Sequence, residues 1–192
     1  HPAQMTPALM DAMREARPVL CPYLHLPVQS GNTAVLERMR RGYDRATYLE
    51  KIVGIRERIP EMLFGTDVIV GFPGESKSEF QDTLSLLDEV PFDTIYSFAY
   101  SERPGTRSLD FGDTVPLALK MERLRILQEK QREIQQRRNR QWVGRRVDVL
   151  VEGPSRRNPE RWTGRTPENR VVNVPGMLEP GQLVSVDVTD AT

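Results

Sequence analysis

The chain has 192 residues, enough for one large domain or two unequal ones, and its 27 basic and 27 acidic residues cancel. Its single cysteine, Cys21, excludes an internal disulfide and a metal cage of cysteines, and we expect it to be a buried thiol. Without an apolar run of about 18 residues or a signal peptide, the chain is expected to be cytoplasmic, with no membrane partner. It begins at His1 and not at a methionine, which suggests a piece of a longer protein.

Helices and strands alternate over the first two thirds of the chain. Thr6 and Pro7 predict the start of the first helix, Asn32 can cap the second, and Pro60 ends the third. Apolar periodicity and capping signals predict four helices, at about 7–16, 33–40, 48–59 and 77–89. Runs of β-branched and aromatic residues predict three strands between them, at 23–28, 66–70 and 94–100. Repeated βα units of this kind predict a parallel sheet.

Each predicted strand is followed by a loop of glycine or hydrogen-bonding residues, at 29–31, 71–75 and 101–106. Ligands of parallel sheets bind beyond the carboxyl ends of the strands, so these loops are the candidate binding site. In the second loop Gly71 would let a ligand approach the backbone, and Ser76 with Glu79 forms a capping box that starts the next helix. The alternative for that loop alone is an ordinary strand-to-helix turn.

A long helix is predicted over 116–142, apolar on one face in its first half and almost wholly polar in its second. The polar half is expected to leave the body and link it to another domain. Short strands at 146–151, 161–165, 170–174 and 183–188, divided by proline and glycine turns, predict a small antiparallel β-barrel of the OB kind. We therefore expect an α/β domain over 1–142 and a barrel domain over 143–192.

The basic residues are concentrated between Lys120 and Arg161, where 13 lysines and arginines meet only 6 acidic residues. A basic helix followed by a small barrel with arginine-rich loops favours a polyanionic partner such as RNA. Arginines line the predicted loops of the barrel at Arg156, Arg157, Arg161, Arg165 and Arg170, and all of these except Arg161 are candidate RNA contacts. A solvated basic helix and a structural cap are the alternative interpretation.

Several separated motifs resemble those of the radical S-adenosylmethionine methylthiotransferases. The segments that carry the resemblance are His25-Leu26-Pro27-Val28-Gln29-Ser30-Gly31, Met39-Arg40-Arg41-Gly42-Tyr43, Asp67 to Glu75, and Tyr100-Ser101-Glu102-Arg103-Pro104-Gly105-Thr106. The last 50 residues or so resemble a TRAM domain, and the segments 151–155, 164–166 and 169–173 are most similar to the MiaB-type branch that modifies tRNA.

The resemblance implies an enzyme that converts an isopentenylated adenosine beside the anticodon of tRNA to its 2-methylthio form. It implies S-adenosylmethionine and two 4Fe–4S clusters as cofactors, the clusters held by cysteines that this chain lacks. The fold class is then an incomplete radical-SAM βα barrel followed by the small TRAM barrel. The missing N-terminal part would supply the cluster ligands, so the chain alone is expected to be inactive, with no metal ligand or catalytic residue of its own.

The resemblance also implies where the cofactor lies. The S-adenosylmethionine-binding candidates are Gln29, Ser30, Arg41, Val70, Gly71, Phe72, Pro73, Tyr100 and Ser101. Gln29 and Ser30 would meet the ribose or amino-acid part, Arg41 the carboxylate, and 70–73 the adenine. A helix-capping turn is the alternative for Gln29 and Ser30, and an ordinary surface arginine is the alternative for Arg41. Arg103 joins the barrel arginines as an RNA-binding candidate, and the anticodon stem–loop is the expected partner.

Two other functions stay open from the residues. One is the related enzyme that modifies an aspartate of a ribosomal protein, against which the Asn169-Arg170 segment argues. The other is a non-catalytic RNA-binding module made of the basic helix and the barrel. A cysteine triad upstream in the gene would indicate an enzyme, and its absence would indicate a binding module.

Overall fold

The computed structural model describes residues 1–112, 114–156, 158 and 160–191. The helices are α1 (Pro7–Glu15), α2 (Thr33–Arg38), α3 (Arg45–Arg58), α4 (Lys77–Glu89) and α5 (Leu117–Arg140), with short 3₁₀ turns at Pro2–Gln4 and Arg107–Phe111. The strands are β1 (Tyr23–His25), β2 (Leu63–Val70), β3 (Thr94–Ala99), β4 (Arg146–Pro154), β5 (Arg161–Arg165), β6 (Val171–Pro175) and β7 (Leu183–Asp187). Within the described residues, no helix is both long and apolar enough to cross a membrane.

The first sheet is parallel, with the strand order β1-β2-β3, as the alternation of helices and strands predicts. One face of β2 buries Phe64, Val68 and Val70 in the core beneath the helices. The opposite face, which carries Asp67 and Ile69, is only partly covered, as expected for the inner face of an incomplete βα barrel.

The helix starts follow from side chains that satisfy free backbone N–H groups. Thr6, Asn32, Asp44 and Ser76 each cap a helix, and Ser76 with Glu79 makes both bonds of the predicted capping box. The Asp44 cap was missed by apolar periodicity, so α3 begins at Arg45 and not at Tyr48.

Strand β1 is shorter than predicted because a side chain replaces part of its ladder. The Thr66 hydroxyl accepts from the Val28 N–H at 2.9 Å and donates to the Leu26 carbonyl at 3.0 Å. Pro27 between them has no N–H to offer. The strand therefore ends at His25, and the chain rejoins the sheet by one parallel bridge, between Gln29 and Val68.

Helix α5 corrects the expectation that its polar half leaves the body. Ile134 is buried, Gln131 donates to the Phe92 carbonyl at 3.1 Å, and Arg138 forms an ion pair with Asp93 at 2.8 Å. The polar half is therefore docked along β3 and the loop before it, by hydrogen bonds that an apolar periodicity cannot reveal.

The second sheet is antiparallel, with the order β6-β5-β4-β7, and it bears out the predicted small barrel-like domain. Val147, Val149 and Val174 form its core, and Trp142 packs against them. A register shift between Val151 and Gly153 bends β4, one of the two inner strands.

Candidate functional site

A cavity of about 580 Å³ opens at the carboxyl ends of the parallel strands. It is formed by the segment after β1, the end of α2, the inner face of β2, and β3 with the loop that follows. Its walls comprise Gln29, Arg38, Met39, Arg40, Arg41, Asp67, Ile69, Phe72, Phe98, Ala99, Tyr100, Ser101, Arg103, Thr106 and Ser108. A volume of this size suits a small-molecule cofactor.

Gln29 enters this cavity from a strained backbone. Its φ is +75°, a left-handed conformation that residues with a Cβ rarely adopt. The sheet holds it there, because its N–H donates to the Asp67 carbonyl at 2.8 Å and its carbonyl accepts from the Ile69 N–H at 2.9 Å. Strain that is held by surrounding structure is typical of functional sites.

Tyr43 supports the segment that leads to Gln29. Its hydroxyl lies 3.1 Å from the carbonyl oxygens of both Pro27 and Val28, to which it can donate. Burial raises the pKa of Tyr43 to about 12, so the phenol stays protonated and keeps its donor at neutral pH. Tyr43 is the last residue of the motif at 39–43, and in the structure its hydroxyl positions the segment before Gln29.

The cavity residues include polar atoms that are buried and have no partner within the described part of the chain. They are Arg38 Nε and Nη2, Arg41 Nε, and the hydroxyl oxygen of Tyr100. Arg38 uses its remaining nitrogen, Nη1, to bind Glu79 at 2.9 Å, and this bond lowers the Glu79 pKa. Guanidinium nitrogens can only donate, and leaving them unpaired in a buried site is costly. The cavity is therefore suited to a ligand that carries an anionic acceptor.

Six of the residues predicted as site residues come together here: Gln29, Arg41, Phe72, Tyr100, Ser101 and Arg103. Phe72 and Tyr100 contact each other edge to face, with ring centroids 5.2 Å apart. The donors and the aromatic walls fit the carboxylate and the adenine of S-adenosylmethionine, respectively.

The other four predicted cofactor residues lie behind the cavity wall. Ser30 is buried against the Thr83 hydroxyl at 3.3 Å, and the side chain of Val70 is in the core. Pro73 is buried and does not line the cavity. Gly71 donates its N–H to the Glu75 carboxylate, so that donor is already satisfied within the protein.

Sequence reasoning missed the contributions of Arg38, Ile69 and Phe98 to this cavity. Ile69 and Phe98 are neighbours in the register of β2 and β3, on the inner face of the sheet. Strand periodicity could have placed each on one face, but it could not say that this face borders a cavity.

His25 and Asp67 lie on the same inner face of the sheet. The side chain of His25 is partly exposed, with Nε2 3.3 Å from Asp67 Oδ1. Its ring also meets that of Tyr96 edge to face at 5.8 Å. Asp67 thereby has the partner that its place on the strand requires.

A second, larger groove of about 1130 Å³ lies between the antiparallel sheet and the parallel one. Trp142, Arg161, Arg165 and Asn173 line it on one side, and Thr94 and Tyr96 on the other. The groove combines aromatic and cationic side chains, which suits a nucleic acid.

The structure separates two of the arginines that were predicted as RNA contacts, Arg165 and Arg170. Arg170 is not directed outward: it binds Asp93 at 2.6 Å, lies 4.7 Å from the ring centre of Trp142, and its side chain is 15% exposed. Burial lowers the pKa of the Arg170 guanidinium, while Asp93 opposes that shift. Arg165 pairs with Glu152 at 3.1 Å but keeps 44% of its side chain exposed.

The remaining predicted RNA contacts differ in what the structure says of them. Arg156 is exposed on the small domain, as is Arg161, which was not among them, and Arg103 is exposed where it borders the cavity. Arg157 lies outside the described residues.

The site does not fit an iron–sulfur cluster. Cys21 is exposed in the loop before β1 and not buried as expected, since it sits among turns between α1 and a short edge strand. Elsewhere in the described ranges, no group of three or more His, Cys, Asp or Glu side chains is placed to hold a metal ion. One thiol cannot supply the thiolates that a four-iron cluster takes.

Comparison with known proteins supports the expected combination of a radical-SAM fold and a TRAM domain. The pattern of the Radical SAM superfamily matches residues 2–87, and that of the TRAM domain matches residues 140–192. The structure of coproporphyrinogen III oxidase (HemN) from Escherichia coli, a radical SAM enzyme, superposes with a TM-score of 0.56. That likeness covers 87% of this chain and 45% of HemN at 15% identity, and it shows the fold alone.

Relatives with higher sequence identity than HemN share one name. The tRNA-2-methylthio-N(6)-dimethylallyladenosine synthases of Thermus thermophilus, Moorella thermoacetica and Syntrophobacter fumaroxidans are 46%, 43% and 44% identical over 100% of this chain. This chain is similar to these synthases along its whole length, and its two parts match the Radical SAM superfamily and the TRAM domain. It spans about two fifths of their length, covering 41%, 43% and 42% of them, respectively.

Proposed function

We propose that these residues form the C-terminal part of a cytoplasmic tRNA methylthiotransferase, which converts N6-isopentenyladenosine beside the anticodon to its 2-methylthio derivative. The names of the relatives support this reaction. In this proposal the cavity holds S-adenosylmethionine, and an N-terminal part holds both 4Fe–4S clusters. The observation that carries it is the set of buried, unpaired donors of Arg38, Arg41 and Tyr100 around the cavity.

The roles of the residues follow from their chemistry. Bound S-adenosylmethionine supplies the radical chemistry that activates an adenine C–H bond. Arg41 and Arg38 hold the cofactor carboxylate, since guanidinium groups bind carboxylates through paired donors. Phe72 and Tyr100 hold the adenine, and Gln29 offers an amide to the ribose or the amino-acid part.

The predicted cofactor residues that lie behind the cavity wall act by shaping the cavity. Ser30 fixes the turn after Gln29 through its contact with Thr83, and 70–73 form the turn that presents Phe72. None of them needs a ligand contact for this role.

The small domain binds the anticodon stem–loop in this proposal, chiefly through phosphates. Its exposed arginines, Arg156, Arg161 and Arg165, are the contacts that support it, together with Arg103 beside the cavity. Arg157 is included because it follows Arg156 in the same loop sequence.

The test uses the full-length protein that carries this chain, reconstituted anaerobically with iron and sulfide. Supplied with S-adenosylmethionine, a reductant and tRNA containing N6-isopentenyladenosine, it should form the 2-methylthio nucleoside, measured by mass spectrometry of digested tRNA. Arg41→Met should weaken cofactor binding in calorimetry by about tenfold, the range of one charge-assisted hydrogen bond. Arg125→Met, an exposed change on α5, is the control. A protein with both clusters that binds tRNA but forms no methylthio product would contradict the proposal.

A further inference from the structure

Two aromatic rings stand on the inner face of β3. Tyr96 and Phe98 alternate with residues that face the helices, and each is 53% exposed. Parallel sheets are normally covered on both faces. Large exposed apolar side chains in this position therefore indicate a surface that binds a ligand or a partner.

The two rings connect the two cavities of the molecule. Phe98 lines the cavity proposed for the cofactor, beside Ile69, its neighbour in the register. Tyr96 lines the groove beneath the small domain, and its register neighbour is Asp67. Because residues two apart on a strand share a face, the rings form one continuous surface from groove to cavity.

Charge at both ends of this surface suits one kind of occupant. Arg40 and Arg103 border the cavity, and Arg161 and Arg165 border the groove. An aromatic surface flanked by cations matches an extruded nucleotide, whose base stacks and whose neighbouring phosphates meet the arginines. Asp67 adds an acceptor that can receive an exocyclic N–H of a purine.

We infer that Tyr96 and Phe98 form the platform for the substrate nucleoside. The base lies against Tyr96 with its N6 nitrogen near Asp67, and the N6 dimethylallyl group lies on Phe98 and Ile69. This inference rests on the proposed function and deepens it, because it assigns the recognition of the alkenyl group to two residues, one on β3 and one on β2.

Binding of two synthetic anticodon stem–loops tests the platform. They differ only in the N6 dimethylallyl group of one adenosine, and affinity for the full-length protein with S-adenosylmethionine and no reductant is read by fluorescence anisotropy. The wild type should prefer the alkenyl RNA. Phe98→Ala should lose about tenfold for that RNA and remove most of the preference, which is the magnitude expected for losing the apolar contact of about two methylene groups.

Tyr96 is tested in the same titrations. Tyr96→Ala should weaken binding of both RNAs by about tenfold, whereas Tyr96→Phe keeps the ring and should bind like the wild type. Val53→Ala, on the outer helix α3 with the same 53% exposure, is the matched control and should change neither affinity.

Two results would overturn the inference. One is unchanged RNA affinity and preference in folded Phe98→Ala and Tyr96→Ala proteins. The other is unchanged affinity with a lowered melting temperature, which would show that another segment of the protein covers the rings. If the wild type forms methylthio product in either case, the platform fails and the proposed function stands. If the variants lose RNA affinity but the wild type forms no product, the proposed function fails and the platform stands.

Discussion

Gly71 shows how one residue can be required for a reason other than the expected one. The sequence predicted a ligand close to its backbone, but the stem of Lys120 occupies that space. A Cβ at Gly71 would collide with Lys120 Cγ, and the φ of +70° also disfavours a side chain. Lys120 is held in turn, since its Nζ donates to the Tyr100 carbonyl at 3.2 Å. The glycine thus lets α5 pack against the loop that shapes the cavity.

Gly71→Ala should destabilise the fold by about 2–4 kcal/mol, the sum of a left-handed alanine and an overpacked contact. Gly74→Ala is the matched control, because Gly74 has a φ of +73° and, among the described residues, nothing lies within 4 Å of its Cβ position. That variant should lose only about 1–2 kcal/mol. Urea unfolding of both measures the difference, and equal losses would mean that Lys120 moves aside without cost.

At the scale of the elements, the sequence predicted each helix and strand, and it failed where hydrogen-bonding side chains act at a distance. The end of β1 depends on Thr66, about 40 positions away, and the docking of α5 depends on Gln131 and Arg138 finding groups before β3. Periodicity reports which face of an element is apolar and says nothing of such partners.

The candidate site was predictable to a similar degree. Loops at strand ends pointed to Gln29, Phe72 and Ser101, because ligands bind at that edge of any parallel sheet. Arg38 was not predictable, since its role depends on how α2 lies against Glu79 of α4. Nor was Phe98, because an inner-face aromatic resembles an ordinary core residue in sequence.

Two of the ion pairs on helix α5 should differ sharply in strength. Arg123 meets Glu75 at 3.0 Å with side chains 5% and 1% exposed, whereas Arg125 meets Glu129 at 63% and 48% exposure. Arg123→Met leaves a carboxylate buried without its partner and should cost about 3–5 kcal/mol. Arg125→Met should cost less than about 1 kcal/mol. Chemical denaturation measures the loss of unfolding free energy in each variant. Similar small losses in both would show that water reaches Glu75.

The same pair predicts a pH dependence. Burial raises the pKa of Glu75 above its usual 4.5, and Arg123 opposes this rise. A carboxyl with a raised folded pKa stabilises the fold below its unfolded pKa and loses that contribution as pH rises through the folded value. In Arg123→Met the pKa rises further, so the deficit relative to wild type should shrink as the pH falls from neutrality toward the unperturbed value of 4.5. A deficit that stays constant over this range would contradict the assignment.

At the scale of the whole molecule, Asp93 joins the two sheets. Its carboxylate accepts from Arg138 of α5 at 2.8 and 3.0 Å and from Arg170 beside β6 at 2.6 Å. Asp93 also directly precedes β3, the strand that carries Tyr96 and Phe98. The orientation of the small domain is therefore set at the base of the proposed substrate platform.

Arg170→Ala and Arg165→Ala should separate docking from RNA binding. Arg170→Ala removes a buried pair, so it should lower the melting temperature and speed protease cleavage between α5 and β4. Arg165→Ala should leave both unchanged and reduce the log–log salt slope of tRNA binding by about 0.7 to 0.9, the value for one phosphate contact. An unchanged slope in Arg165→Ala would mean that this arginine only pairs with Glu152.

Iron binding concerns the whole chain as well. With one exposed cysteine, these 192 residues by themselves should retain no stoichiometric cluster after anaerobic reconstitution and desalting. Iron and sulfide assays measure this, and Cys21→Ser should give the same background value. Near-stoichiometric iron in the unmodified chain would show that other ligands suffice.

The left-handed backbone of Gln29 has a consequence for directed evolution. A glycine there would relieve the strain of a left-handed side chain, about 1–2 kcal/mol, without disturbing the backbone bonds to β2. A library screened only for heat resistance should therefore accumulate glycine at position 29, whereas one screened for cofactor retention should keep the amide. Glycine from the first selection and glutamine from the second would show that Gln29 lowers thermal stability and increases cofactor binding.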